Sequence, residues 1–144
     1  MTTLLIIAHG SKRQASNIAI QKLAKKVAFH LPMHIEDVHV GFLELAKPSM
    51  HTAIDACFSR GAEQLMVLPY FLAEGRHVAQ DIPLALAAAR RKWPNKHLSL
   101  LPHIGAMEAM TKLIAQRCIE ELINRHPIQA VTDTYQYYEM GTSA

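Results

Sequence analysis

The sequence predicts an α/β protein of three layers, α/β/α, in which a four-stranded parallel sheet lies between helices. Short apolar runs alternate with segments of helical periodicity, in the order strand then helix, four times along the chain. The first run is apolar on both faces, as is typical of a buried parallel strand. The length of 144 residues, half of them apolar, is enough for one domain with its own core.

The first half of the chain supplies two strand–helix pairs. The predicted strands cover residues 3–8 (TLLIIA) and 34–42, and the predicted helices cover residues 14–31 and 47–61. Pro32 ends the first helix, while Pro48 suits a first helical turn and Gly61 a C-terminal cap. One apolar face of the second helix is expected from Met50, Ala53, Ile54, Cys57 and Phe58.

The second half supplies the other two pairs. The predicted elements are a strand over residues 63–70, a helix over 82–93, a strand within HLSLLPHIG (97–105) and a helix over 106–125. The last helix is expected to turn one apolar row inward, formed by Met107, Met110, Ile114, Cys118 and Leu122. We expect a single domain over residues 1–126. The tail of residues 127–144 holds three of the four tyrosines, and its sequence leaves open whether it packs on the domain, joins a dimer or is loose.

Composition and charge exclude several classes of protein. The net charge of +3 is mild, and no cluster of Lys and Arg is interleaved with aromatic residues, so we expect no nucleic-acid partner. A mild positive excess also suits a polyanionic small molecule. No apolar stretch reaches the ~18 residues that span a bilayer, and the N-terminus does not resemble a secretory leader. We therefore expect a soluble cytoplasmic protein with no membrane partner, whose Cys57 and Cys118 are buried reduced thiols.

The polar residues that follow the strands locate a candidate site, because ligands of open parallel sheets bind beyond the carboxyl ends of the strands. The residues at that predicted edge are His9, Gly10 and Ser11, then Gly41 to Glu44, then Glu74, Arg76 and His77, and finally His103. The third connection, residues 70–81, is longer than the 2–6 residues usual for such loops. It is therefore a candidate binding loop or lid.

Imidazole and carboxylate groups on one edge suit two kinds of chemistry. His9, Glu44 and His77 could bind a divalent first-row metal with a coordination position left open, or act as general bases near neutral pH. Each also has a plainer interpretation. His9 could cap the next helix or bond a backbone carbonyl, Glu44 could pair with Lys47 on the surface, and His77 could be a solvated loop residue. Gly10 and Ser11 equally suit a tight turn and a helix N-cap. Structural or surface roles are expected for His30, His34, His39, His51, His97 and His126, and His103 is left open.

Three segments of the chain resemble the sirohydrochlorin chelatases. These are LLIIAHGS (4–11), GFLELAKPSM (41–50) and LPYFLAEGRHVAQDIP (68–83), and the likeness covers roughly residues 3–86. Within that family the chain most resembles the short, single-domain CbiX/SirB type. These proteins are class II chelatases. Beyond residue 100 the chain departs from the family, since HIGAME stands where members often have a Gly-x-His-Pro-like turn.

The resemblance implies a fold, an activity and a site. The fold is a class II chelatase-like half-domain, and the activity is ATP-independent insertion of a divalent metal into sirohydrochlorin, in cobalamin or siroheme biosynthesis. The lack of a GxxxxGK[ST] loop agrees with ATP independence. By resemblance, His9 and His77 are the metal-binding, proton-accepting pair, and Glu44 matches the glutamate of the Phe-x-Glu motif. Longer relatives carry two such halves, so a homodimer is expected.

The implied substrate assigns further residues. Arg13 and Arg76, with Lys12 and Lys47, are positioned to receive carboxylates of sirohydrochlorin. Phe42, Leu43, Phe71 and Leu72 are candidates to wall the macrocycle, although Leu43 and Phe71 suit the core equally well. Gly10 is expected to leave room for the ring and Ser11 to start the next helix.

The metal is expected to be substrate rather than prosthetic group, with Co²⁺ favoured, then Fe²⁺, and Ni²⁺ also accepted. Two other classes of protein could place a histidine at this edge. A non-catalytic metal or tetrapyrrole carrier would use the same residues. A histidine phosphatase would need an arginine directly before the histidine, where this chain has Ala8.

Overall fold

The computed structural model describes residues 1–125 and divides the chain into two compact units. The first unit spans Met1–Ala106, and the second begins at Met107. His126 and the predicted tail of residues 127–144 lie outside the described residues. The expectation of one domain over residues 1–126 therefore stays a prediction.

The first unit contains seven regular elements, and the second contributes one described helix. The elements of the first unit are β1 (Thr2–Ala8), α1 (Gln14–His30), β2 (Ile35–Phe42), α2 (Met50–Ser59), β3 (Gln64–Pro69), α3 (Ile82–Lys92) and β4 (His97–Leu100). A short π-helical turn, His77–Asp81, precedes α3, and a 3₁₀ turn, Ile104–Ala106, follows β4. The helix of the second unit is α4 (Glu108–Arg125). Residues 1–125 include no helix that is both long and apolar enough to cross a lipid bilayer.

The four strands form one parallel sheet in the order β2-β1-β3-β4. The central strand β1 pairs Ala8 with Phe42 on one side and Ile7 with Pro69 on the other. Because these pairs join the last residues of β1, β2 and β3, the carboxyl ends of the three strands lie at the same edge of the sheet. The predicted α/β fold with a four-stranded parallel sheet is confirmed.

Helices cover both faces of the sheet in the first unit, as the three-layer prediction requires. The central strand has no polar face, since Leu5, Ile6 and Ile7 are fully buried. Leu5 and Ile7 pack with α2 and α3, in a cluster that includes the predicted apolar face of α2: Met50, Ala53, Ile54, Cys57 and Phe58. On the other face Leu4 and Ile6 pack with Ala24 of α1.

The start of α2 differs from the prediction. The helix begins at Met50, and its N-cap is Ser49, whose side-chain oxygen accepts from the backbone N–H of Thr52. Pro48 precedes the helix, and its carbonyl accepts from the backbone N–H of Phe42 at 2.9 Å. The expectation that Pro48 lies in the first turn is therefore wrong. Gly61 does end the helix, with a φ of 101° that only glycine adopts without strain.

The third connection, predicted as a loop over residues 70–81, is irregular only in its first part. Irregular backbone covers residues 70–75, and helical backbone begins at Arg76 and continues through the π-helical turn into α3. His77 therefore lies on a turn of defined geometry rather than in a loop, which restricts where its side chain can lie.

The two cysteines differ in environment. Cys57 is buried in the core, and burial raises the pKa of its thiol to about 11, which keeps it protonated and unreactive. Cys118 on α4 is exposed, so the expectation of a buried thiol is wrong there. The expected inward row of α4 is also wrong, because the helix has no buried residue, and Ile114 and Leu122 are more than half exposed. An apolar row at helical spacing indicates which residues share a face, but it does not determine whether that face is covered.

A buried hydroxyl in β1 leads to a stability prediction. Thr3 is fully buried, and its Oγ1 has no hydrogen-bond partner within residues 1–125. A desolvated hydroxyl without a partner costs about 1–3 kcal/mol, so Thr3→Val is expected to raise the free energy of unfolding by about 1 kcal/mol. Urea unfolding would measure this, with Thr52→Val as the control that removes a bonded hydroxyl. A lower stability for Thr3→Val would contradict the prediction.

Candidate active site

Three side chains meet at the carboxyl edge of the sheet. His9 directly follows β1, Glu44 lies two residues beyond β2, and His77 opens the π-helical turn. One ligand atom from each lies within 4.8 Å of the others, near the spacing that metal–ligand bonds of ~2.0–2.2 Å require. Within residues 1–125 this is the one group of three histidine, cysteine or acidic residues with such spacing. The predicted convergence of His9, Glu44 and His77 is therefore present in the structure.

The pairing of β1 with β2 continues past the strand ends and sets His9 beside Glu44. The backbone N–H of Leu43 donates to Ala8 at 3.0 Å, and that of Glu44 donates to His9 at 3.0 Å. The side chains then meet, with His9 Nε2 at 3.1 Å from Glu44 Oε1. Glu44 thus faces His9 rather than pairing with Lys47.

Gly10 is required by the backbone of Glu44. Its φ is 94°, and a Cβ at this position would lie 1.9 Å from the carbonyl oxygen of Glu44. Any larger residue would therefore push away the segment that carries the carboxylate. The expectation that Gly10 leaves room for the macrocycle stays a prediction, and the close neighbour in the structure is the protein's own chain.

Both nitrogens of the His9 ring lie near oxygen atoms. Nδ1 lies 3.1 Å from the carbonyl oxygen of Gly10, which can only accept, and Nε2 faces the carboxylate of Glu44. In the tautomer in which Nδ1 donates to this carbonyl, Nε2 carries a lone pair and lies 3.1 Å from Glu44 Oε1. These two atoms could then bind the same metal ion.

His77 is oriented by an acidic residue of the same turn. Its Nδ1 lies 2.7 Å from Oδ2 of Asp81, and both side chains are partly buried. The rings of His77 and His9 have centroids 5.1 Å apart and meet edge to face, with an interplanar angle of 79°. The Nε2 atom of His77 is left for a ligand.

The loop between β1 and α1 is held by a residue that sequence reasoning missed. Asn17 of α1 is buried, accepts from the backbone N–H of Ser11 at 3.0 Å and donates to the Ser11 carbonyl at 2.7 Å. Ser11 Oγ accepts from the backbone N–H of Arg13, which precedes α1, so Ser11 closes a turn and is not the helix N-cap. Asn17 gave no signal, because an asparagine in a helical pattern usually faces solvent.

The residues predicted to contact the macrocycle differ in burial. Phe42 is only 1% exposed, so the expectation that it walls the macrocycle is wrong and it belongs to the core. Leu43 and Phe71 are partly buried and pack against the core. Leu72 and Arg76 are exposed at the loop that precedes His77. His103 is not among the three grouped residues.

The segment after β4 supports the loop before His77. The backbone N–H of Gly105 donates to the Phe71 carbonyl at 2.9 Å, and a Cβ on Gly105 would lie 1.7 Å from the carbonyl oxygen of Leu72. Gly105 of the HIGAME sequence therefore has a positional role, because it lets the 3₁₀ turn lie against the loop that precedes His77.

A cavity of about 420 Å³ adjoins two of the three residues, Glu44 and His77. It is lined by Leu43, Glu44, Met50, His51, His77, Asp81, Leu84 and Ala85. A larger cavity of about 510 Å³ lies along β2 between α1 and α2 and includes none of the three. The sequence predicts no site role for five residues around the smaller cavity: Met50, His51, Asp81, Leu84 and Ala85. Leu45, beside Glu44, was also missed, although its φ of 61° is uncommon for leucine.

Comparison with known proteins identifies relatives of this chain. A family model, CbiX, matches residues 3–121. The chain is 30% identical over 116 residues to a chloroplastic sirohydrochlorin ferrochelatase of Arabidopsis thaliana, an alignment that covers 79% of this chain and 50% of the relative. It is 34% identical over 86 residues to a sirohydrochlorin cobaltochelatase of Methanopyrus kandleri, covering 60% of this chain and 59% of the relative. The chain thus matches about half the length of these curated relatives.

Solved structures share the fold. A CbiX protein of cobalamin biosynthesis from Marinobacter aquaeolei aligns with a TM-score of 0.69 at 28% identity, over 86% of this chain and 99% of that one. The sirohydrochlorin chelatase SirB of Bacillus subtilis subspecies spizizenii, solved in complex with cobalt, aligns with a TM-score of 0.71 at 26% identity, over 83% of this chain and 50% of that one. Since the CbiX model covers most of the chain, the protein belongs to the CbiX family.

Proposed function

We propose that this protein inserts a divalent metal ion into sirohydrochlorin without ATP, with Co²⁺ favoured and Fe²⁺ next. The observation that carries the proposal is the group of His9, Glu44 and His77, whose ligand atoms lie within 4.8 Å at the carboxyl edge of the sheet. Membership of the CbiX family and the likeness to both cobaltochelatases and ferrochelatases support the same reaction. The metal is a substrate, and no prosthetic group is proposed.

The three side chains suit an ion that has to leave again. Imidazole and carboxylate bind Co²⁺ and Fe²⁺, but they retain them less firmly than thiolates would. Three protein ligands leave coordination positions free for water and then for the pyrrole nitrogens. The two pyrrole N–H protons must be removed as the metal enters, and the imidazoles of His9 and His77 are bases suited to neutral pH. The carboxylate of Glu44, at 3.1 Å from His9, balances the charge of the ion or of a proton.

The surroundings of the site suit a flat, acidic macrocycle. Large apolar side chains are exposed on the segments that carry or adjoin the three residues: Leu45, Tyr70, Leu72 and Leu84. We propose that Leu72, with the exposed edges of Leu43 and Phe71, contacts the ring. Arg13 and Arg76, both exposed, are proposed to bind its carboxylates, an interaction in which arginine can bind bidentately. The backbone of Gly10 and Ser11 completes the proposed substrate site.

The assembly and location are further parts of this proposal. The alignment covers half of the Arabidopsis relative, which supports a homodimer in which a second copy supplies the other half. The cytoplasmic location stays a prediction from the sequence.

Anaerobic absorbance of sirohydrochlorin with Co²⁺, Fe²⁺ or Ni²⁺, at catalytic protein concentration, tests the proposal. Many metallated macrocycles per protein would support a chelatase, and the fastest metal would identify the preferred substrate. A spectral change that ends at one equivalent would instead indicate a carrier. Metallation no faster than in the absence of protein would refute the function.

A further inference from the structure

We propose that Asp81 is a positioning residue that holds the His77 ring so that Nε2 is the atom presented to the metal. The proposal deepens the function proposed above and rests on it. Its basis is the contact of 2.7 Å between His77 Nδ1 and Asp81 Oδ2. The sequence predicts a site role for His77 and none for Asp81.

The contact determines which nitrogen of His77 is free. A carboxylate can only accept, so the proton of the neutral ring lies on Nδ1, and Nε2 carries the lone pair. The ring is then directed toward His9, whose centroid is 5.1 Å away. A carboxylate behind a metal-binding histidine orients the ring and raises its basicity as a ligand. Asp81 would therefore act through His77 and would not touch the ion.

The local backbone favours this pairing. His77 and Asp81 are the first and last residues of the π-helical turn, which the backbone N–H of Ile82 closes by donating to the His77 carbonyl. Single π-helical turns are frequent at functional sites. Side chains four residues apart on a helical turn lie on the same side, so the turn keeps the two groups in contact.

The Asp81 carboxylate has no competing structural role at the helix end. Although Asp81 occupies the N-cap position of α3, its side chain makes no capping hydrogen bond. Within residues 1–125 its one recorded polar contact is His77. Replacing Asp81 therefore removes the support of His77 without removing a helix cap.

The chain offers a matched control. His39 and Asp37 of β2 form a second pair, with Nε2 at 2.7 Å from Oδ2. The His–Asp distance equals that of the His77 pair, but neither residue belongs to the group of three. Asp37→Asn removes the same charge as Asp81→Asn and weakens an equivalent contact away from the site.

The test measures Co²⁺ affinity of the full chain by calorimetry and by the visible spectrum of the bound ion, beside urea unfolding. We expect Asp81→Ala to bind Co²⁺ about 10–100-fold more weakly, in line with other supporting carboxylates. Asp81→Asn keeps an acceptor for Nδ1 and is expected to restore most of that affinity. Asp37→Asn is expected to match the wild type, and the unfolding midpoints are expected to be similar for all.

The outcomes separate this inference from the proposed function. If His77→Ala loses Co²⁺ binding while Asp81→Ala binds within twofold of the wild type, the role of Asp81 is refuted and the metal site stands. If Asp81→Ala binds Co²⁺ more weakly but the wild type does not metallate sirohydrochlorin, Asp81 is supported and the chelatase function fails. If the wild type does not bind Co²⁺, both are overturned.

Discussion

His77→Ala is expected to lower the rate of metal insertion into sirohydrochlorin by about 10²–10⁴-fold, the range typical for loss of a catalytic acid or base. The substitution removes one of three ligand atoms within 4.8 Å of each other and one of two imidazoles available to accept pyrrole protons. His9→Ala is expected to have an effect of similar size, because it also leaves Glu44 without its partner at 3.1 Å. Initial rates under anaerobic conditions, followed by sirohydrochlorin absorbance, would measure both.

A histidine at the opposite edge of the sheet provides the control. His97 is exposed and begins β4, so it lies at the amino end of the strands, away from His9 and His77. His97→Ala is expected to leave the rate unchanged. If His77→Ala and His97→Ala had equal rates, His77 would have no part in the reaction.

Gly10→Ala is expected to reduce the free energy of unfolding by about 3 kcal/mol and to abolish most of the activity. The φ of 94° disfavours any side chain, and the added Cβ would lie 1.9 Å from the carbonyl oxygen of Glu44. Since that oxygen belongs to the backbone, relief requires the β2 end to move, and the Glu44 carboxylate moves with it. Urea unfolding and the insertion rate would be measured on the same preparation.

Substitutions of two other glycines distinguish the strain of a positive φ from the steric contact with Glu44. Gly75→Ala adds a Cβ that meets no atom within 4 Å, and Gly75 has no positive φ, so little loss of stability is expected. Gly61→Ala adds a Cβ in open space at a φ of 101°, so it reports the conformational strain alone. A Gly10→Ala protein no less stable than Gly61→Ala would show that the contact with Glu44 is unimportant.

Local pattern in the sequence predicted the elements and the edge at which the site lies. Alternating apolar runs identified the four strands, and the helical spacing from Met50 to Phe58 identified the buried face of α2. Because the strands are parallel, the residues that follow them had to gather at one edge, so His9, Glu44 and His77 could be predicted together before any distance was known.

Contacts between distant segments were decided only in the tertiary structure. The burial of Phe42, the exposure of Cys118 and the support of Ser11 by Asn17 depend on which surfaces are covered, and periodicity does not encode this. The need for glycine at position 10 comes from the carbonyl of Glu44, which lies more than thirty residues away along the chain. A residue's own neighbours set its local backbone preference, but the register of the sheet decides which distant group it meets. The sequence therefore determined which chemical groups reach the edge, and the packed chain determined how each group is held there.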